Sequence, residues 1–143
     1  MSNNEISKEG KILLVEANDF IKDALRRGLE IEGFLLAVSP SAEEALKIIK
    51  QETFDVIIAD YELPDLNGLE YLILAGRVRK DSIKILMTTY GELKILSDIK
   101  RYGINDAIEK PFPFERLVNM IEYILSRRNI EPPKNNFEVS NER

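Results

Sequence analysis

An alternation constrains this chain more than any other feature. Short apolar runs, rich in β-branched residues, take turns with segments whose apolar residues recur at helical spacing. The runs are Lys11–Val15, Phe34–Val38, Val56–Ala59, Ile83–Met87 and the weaker Asp106–Glu109. Such runs, bounded by polar residues, read as strands buried on both faces. Between them, Phe20, Ile21, Ala24, Leu25, Gly28 and Leu29 predict a helix over 19–32. Ala42, Ala45, Leu46 and Ile49 predict a second, and Leu69, Leu72, Ile73 and Gly76 a third. Leu93, Leu96, Ile99 and Tyr102 pattern a fourth, and Phe114, Leu117, Val118, Ile121 and Leu125 a fifth. Asn18 or Asp19 is placed to cap the first helix, Ser41 with Glu44 forms a capping box, and Gly33 and Gly103 end helices. Strands alternating with helices through short connections predict an α/β fold, a doubly wound five-stranded parallel sheet with helices on both faces.

Residues 1–10 are polar and read as a flexible N-terminal segment, and 129–143, rich in Asn, Pro and Glu, as a polar tail or linker. One domain over 11–128 remains. The net charge is −5, and no predicted helix carries a basic cluster, which argues against nucleic acid and anionic membranes as partners. No apolar run approaches the length of a membrane span and the N-terminus lacks a signal-peptide pattern, so the expected location is cytoplasmic. The chain has neither Cys nor His. That removes disulfides, thiolate chemistry, Ser-His-Asp arrangements and His-ligated metals. Carboxylates, hydroxyls, Lys and Arg remain, together with hard cations of the magnesium type. A phosphoryl group arriving from a phosphohistidine would have to come from another protein.

The strand ends gather those groups. Glu16 follows the first strand, Asp60 the third, Thr88 the fourth and Lys110 the fifth. In the strand order 2-1-3-4-5, the first and third strands are neighbours at the switch point, where open α/β sheets hold ligands. Glu16 and Asp60 would then adjoin, with a hydroxyl and an ammonium beyond them. Any one of these has a plain alternative, since Asp60 alone could begin a turn or cap a helix. Together they suit phosphoryl chemistry: acids to hold Mg²⁺, one acid as nucleophile, a Lys and a hydroxyl on phosphoryl oxygens.

The chain resembles the receiver domain of two-component response regulators, the CheY-like, flavodoxin-like three-layer sandwich. The resemblance runs from about Lys11 to about Ser126. It is carried by Lys11-Ile12-Leu13-Leu14-Val15-Glu16, by Asp55-Val56-Ile57-Ile58-Ala59-Asp60-Tyr61-Glu62-Leu63-Pro64, by Asn67-Gly68, by Thr88-Thr89-Tyr90-Gly91 and by Glu109-Lys110-Pro111-Phe112. It implies that Asp60 is the phosphoacceptor, Thr88 the switch hydroxyl and Lys110 the phosphate-contacting lysine. It implies Mg²⁺ held by Glu16, Asp60 and the backbone carbonyl of Glu62, and a histidine kinase or histidine phosphotransfer protein as phosphodonor. A downstream protein, or a second copy meeting through the fourth helix and fifth strand, would receive the signal.

Two positions depart from the family pattern. Ala17 stands where a second acid and direct metal ligand is expected, and a methyl group cannot coordinate Mg²⁺. Ala107 replaces an aromatic whose rotamer follows the switch hydroxyl, so the signal is expected to leave through the Thr88 loop and the helix after it. The alternative function is a degenerate receiver that binds partners independently of phosphorylation. No output domain follows the last helix, so the chain reads as a stand-alone receiver or the receiver piece of a longer protein.

Overall fold

The computed structural model describes residues 10–89, 97 and 99–130. The strands are β1 (Lys11–Val15), β2 (Leu35–Ser39), β3 (Val56–Asp60), β4 (Ile83–Thr88) and β5 (Asp106–Glu109). The helices are α1 (Asp19–Ile31), α2 (Ala42–Gln51), α3 (Gly68–Val78) and α4 (Phe114–Ile130). All strand pairs are parallel, in the order β2-β1-β3-β4-β5. The expected 2-1-3-4-5 sheet is therefore present, with β1 and β3 adjacent.

Side chains alternate across the pleat, so each central strand feeds two cores. Ile12, Leu14, Ile58 and Ile85 pack with Leu25 and Leu29 of α1 and with Leu117, Ile121 and Leu125 of α4. Leu13, Val15, Ile57 and Leu86 pack with Ala45 and Ile49 of α2 and with Tyr71 and Leu72 of α3. Each fully buried Leu or Ile contributes about 1.5–3 kcal/mol, which explains why continuous apolar runs occupy the middle of the sheet.

The punctuation behaves as the residue types require. Asn18 accepts a hydrogen bond from the Ile21 backbone N–H at 2.9 Å and caps α1. Ser41 caps α2 through the Glu44 N–H at 3.2 Å. Gly33 adopts φ 103°, and paired bonds from Gly33 N–H to Glu30 O (2.9 Å) and Phe34 N–H to Leu29 O (3.2 Å) close α1.

That closure moves the second strand. Its expected start at Phe34 shifts to Leu35, because the Phe34 N–H is already committed to α1. Phe34 is instead buried beneath the sheet edge. The α1 pattern also included Phe20, which is 85% exposed, so the buried stripe of that helix is narrower than its apolar spacing. Leu93 and Leu96, on the expected fourth helix, lie outside the described residues. The described part is a 3₁₀ turn over 99–102 with Ile99 buried, closed by Gly103 at φ 83°, whose N–H donates to Lys100 O, and by the Ile104 N–H, which donates to Ile99 O. Tyr102, placed by periodicity on the apolar face, is 46% exposed. Among the described residues no helix is long and apolar enough to cross a membrane.

Candidate functional site

The strand ladders run slightly further than the apolar runs. Asp60 is the last residue of β3, pairing with Met87, and Thr88 is the last of β4, pairing with Glu109. Glu16 lies just past β1, anchored by its N–H to Ser39 O at 2.9 Å. Lys110 lies just past β5, anchored by its N–H to Thr88 O at 2.7 Å. Parallel pairing thus brings the four sequence-predicted side chains to one edge of the sheet.

Three of them converge. The Lys110 ammonium lies 3.0 Å from Asp60 Oδ1 and 3.1 Å from Glu16 Oε1. The second Glu16 oxygen accepts the Asn18 N–H at 3.0 Å, which fixes the carboxylate across the mouth of β1. Glu16 and Asp60 are buried, at 1% and 6% exposure, so one cation is shared by two carboxylates almost out of water.

The titration behaviour follows from that shortage of positive charge. Burial raises the Asp60 pKa, and the Lys110 hydrogen bond only partly offsets it, because Glu16 adds a second negative charge. Lys110 moves the other way. Burial opposes its charge, but the bonds and charges of Asp60 and Glu16 outweigh burial and raise its pKa. Both partners rising is consistent: the lysine answers to two anions, whereas Asp60 has a cation and a competitor.

The Thr88 hydroxyl is buried and, among the described residues, has no hydrogen-bond partner. Leaving such a group unpaired costs about 1–3 kcal/mol.

The loop after Asp60 is fixed by contacts that residue spacing does not reveal. Gly68 N–H donates to Tyr61 O at 2.7 Å, and a Cβ at Gly68 would lie 2.0 Å from the Asp60 carbonyl oxygen. Asn67 caps α3 through the Glu70 N–H at 2.9 Å. Asp65 accepts the N–H groups of Ala42 (3.0 Å) and Glu43 (2.8 Å), tying the loop to the start of α2. Burial opposes ionisation of Asp65, but these bonds prevail and hold its pKa below the usual carboxylate range. The Glu62 side chain is exposed, and its charge is felt at Asp60.

Among the described residues no group of three or more acids is placed to hold a metal ion. Ala17 supplies no side-chain oxygen, Asn18 is spent as a cap, and Asp19 points to solvent beside Lys22 at 3.2 Å. Yet Glu16 and Asp60 already converge on one cation, the Lys110 ammonium. That donor set suits a hard divalent ion completed largely by water.

Comparisons with known proteins bear on the family and the fold. Residues 12–122 match the family model described as the response regulator receiver domain. The chain is 32% identical over 112 residues to the response regulator protein FleR of Pseudomonas aeruginosa, covering 78% of this chain and 24% of that one. It is 26% identical over 127 residues to the transcriptional regulatory protein FixJ of Bradyrhizobium diazoefficiens, covering 89% and 61%. Against the crystal structure of a CheY-like receiver domain protein from Methanospirillum hungatei, the TM-score is 0.80 at 30% identity, covering 85% of this chain and 98% of that one. The chain spans only 28% of another match, the transcriptional regulator NtrC of Proteus hauseri, at 26% identity over 92% of its own length.

Proposed function

The chain belongs to the response regulator receiver domain family, and on that premise we propose that it is a phosphoacceptor that takes a phosphoryl group on Asp60 from a histidine kinase or histidine phosphotransfer protein. The observation that carries this reading is the sharing of one half-buried ammonium by the buried carboxylates of Asp60 and Glu16, at the sheet edge that also holds the Thr88 hydroxyl, unpaired among the described residues.

In the proposed reaction an Asp60 carboxylate oxygen attacks the phosphorus of a partner's phosphohistidine. A P–O bond forms, the P–N bond breaks, and its electron pair returns to the imidazole. Lys110 holds Asp60 ionised and oriented, then follows the negative charge onto the phosphoryl oxygens. Glu16, locked by the Asn18 N–H, keeps Lys110 in place. Thr88 gains an acceptor that it lacks among the described residues, and its movement toward the acyl phosphate carries the change to a protein-binding surface. The loop and helix expected to relay it include residues 90–96 and 98, outside the described residues, as does part of the expected surface for self-association. Glu16, Asp60 and the Glu62 carbonyl would hold Mg²⁺, which when bound neutralises charge developing on the phosphoryl oxygens.

Incubating the protein with Mg²⁺ and a small phosphodonor tests the reading. A mass gain of one phosphoryl group is expected, and no gain under conditions that label another receiver domain would overturn it.

Ala17 gives a second expectation. Ala17→Asp adds a carboxylate to a site that has two, so Mg²⁺ should bind about tenfold more tightly and phosphorylation should accelerate. Without metal the extra like charge should lower the melting temperature. Mg²⁺ titration followed by NMR checks this, and equal affinities in the two proteins would show that water already does the work of the missing ligand.

A further inference from the structure

On the face covered by α3, away from the strand ends, a cavity of about 430 Å³ opens between the end of α3 and the 3₁₀ turn. Its lining includes Arg77, Lys80, Lys84 and Arg101, with Tyr102 and Gly103, and among the described residues no acidic one. Such a lining is unusual in a chain of net charge −5.

Lys84 shows that the charge is built in. It is a β4 residue at 3% exposure, and its ammonium donates to the carbonyls of Arg79 (2.8 Å), Lys80 (3.3 Å) and Ser82 (2.8 Å). None of these partners is a carboxylate. A buried cation without an anion is costly, and burial lowers the Lys84 pKa, with only the charge of Asp81 opposing. The three carbonyls belong to the end of α3 and the turn after it, where the helix dipole is negative. The full charge of Lys84 exceeds the roughly half-charge of that negative end, so the cavity wall stays positive. Arg77, Lys80 and Arg101 are exposed around it, and Tyr102 offers an exposed ring at the rim. At Gly103 a Cβ would meet nothing within 4 Å, so the wall there is open.

We propose that this cavity binds a small diphosphate-bearing anion, with Arg77, Lys80 and Arg101 on the phosphates, Lys84 as fixed background charge, and Tyr102 available to stack on a base. The volume is sufficient for a mononucleotide. Inorganic oligophosphate and a nucleoside diphosphate share this chemistry, and Tyr102 separates them.

The test is an NMR titration of the whole chain with pyrophosphate and, separately, with ADP, at low salt and without Mg²⁺. Saturable shifts are expected at Gly76, Arg101 and Gly103, weakening as salt rises. The double variant Arg77→Glu/Lys80→Glu, at exposed positions that leave the fold intact, should lose about tenfold or more in affinity for both probes. Asp60→Asn should bind as wild type does, so the result is independent of phosphorylation. If ADP binds more tightly than pyrophosphate and Tyr102→Ala removes the difference, the ligand is a nucleotide. Equal binding unaffected by Tyr102→Ala identifies oligophosphate. Absence of saturable shifts, shifts that survive the double charge reversal, or shifts centred on Lys110 would each overturn the proposal.

Discussion

Gly68→Ala is expected to be among the most destabilising single substitutions in this protein. The added methyl would lie 2.0 Å from the Asp60 carbonyl oxygen, 2.7 Å from the Asp60 carbonyl carbon and 3.0 Å from Tyr61 Cα. All three are backbone atoms of the end of β3 and of the residue that follows it, so no side-chain rotation relieves the clash. Either the start of α3 moves away, breaking the Gly68 N–H to Tyr61 O bond, or the end of β3 is pushed out of register. The cost should be about 3–5 kcal/mol, lowering the melting temperature by roughly 10 °C or more. Gly76→Ala is the internal control. Its methyl would meet only the end of the Lys84 side chain, at 3.7 and 4.0 Å, which is ordinary contact. Inside α3 that change should be neutral or stabilising by up to about 1 kcal/mol. Thermal unfolding followed by circular dichroism separates the two, and a Gly68→Ala protein melting with wild type would refute the close approach.

Lys110→Met should also be costly, with a distinctive pH dependence. It removes the only cation paired with Asp60 and Glu16 among the described residues and leaves two buried carboxylates facing each other. Breaking a buried charge cluster by deleting one partner costs about 3–5 kcal/mol. In wild type, the folded-state pKa of Lys110 is raised. Its contribution is therefore complete at all pH values below the ordinary lysine pKa and is lost only as pH rises through the higher folded value. Asp60 is raised as well, and losing its cation raises it further. The folded variant then binds a proton that the unfolded chain has released. Its stability should fall as pH rises above the ordinary aspartate range, and recover on acidification toward that range. Urea unfolding at about pH 7 and about pH 4.5 should show a large gap between wild type and variant that narrows at the lower pH. A gap independent of pH, or one that widens on acidification, would contradict the shared-cation geometry.

The sheet was legible because burial on both faces leaves a local mark: Val56-Ile57-Ile58-Ala59 has no polar face to turn outward. The strand-end residues were legible for a related reason. Parallel topology carries the C-terminal ends to one edge, so with the 2-1-3-4-5 strand order Glu16, Asp60, Thr88 and Lys110 share that edge. Caps such as Asn18 and the Gly33 closure were legible because their bonds span only a few residues. The Phe34 shift depends on which of two partners takes one N–H, and apolar character does not report that choice. Long-range contacts left no local mark. Asp65 reads as a loop residue until α2 is placed beside it, and Lys84 reads as an ordinary strand lysine until the end of α3 covers it. Gly68 reads as a turn residue, and only the folded backbone shows that its missing Cβ is what lets β3 and α3 approach.

Asp60 is the proposed carrier of the phosphoryl group. The direct measurement is peptide mass mapping of the wild-type chain and Asp60→Asn after incubation with Mg²⁺ and a small phosphodonor. The amide keeps the shape of the side chain and removes its nucleophilic oxygen. One phosphoryl group on the wild-type peptide containing Asp60, and none in the variant, is the predicted result. Labelling that persists in Asp60→Asn, or that maps to Asp65, would contradict it.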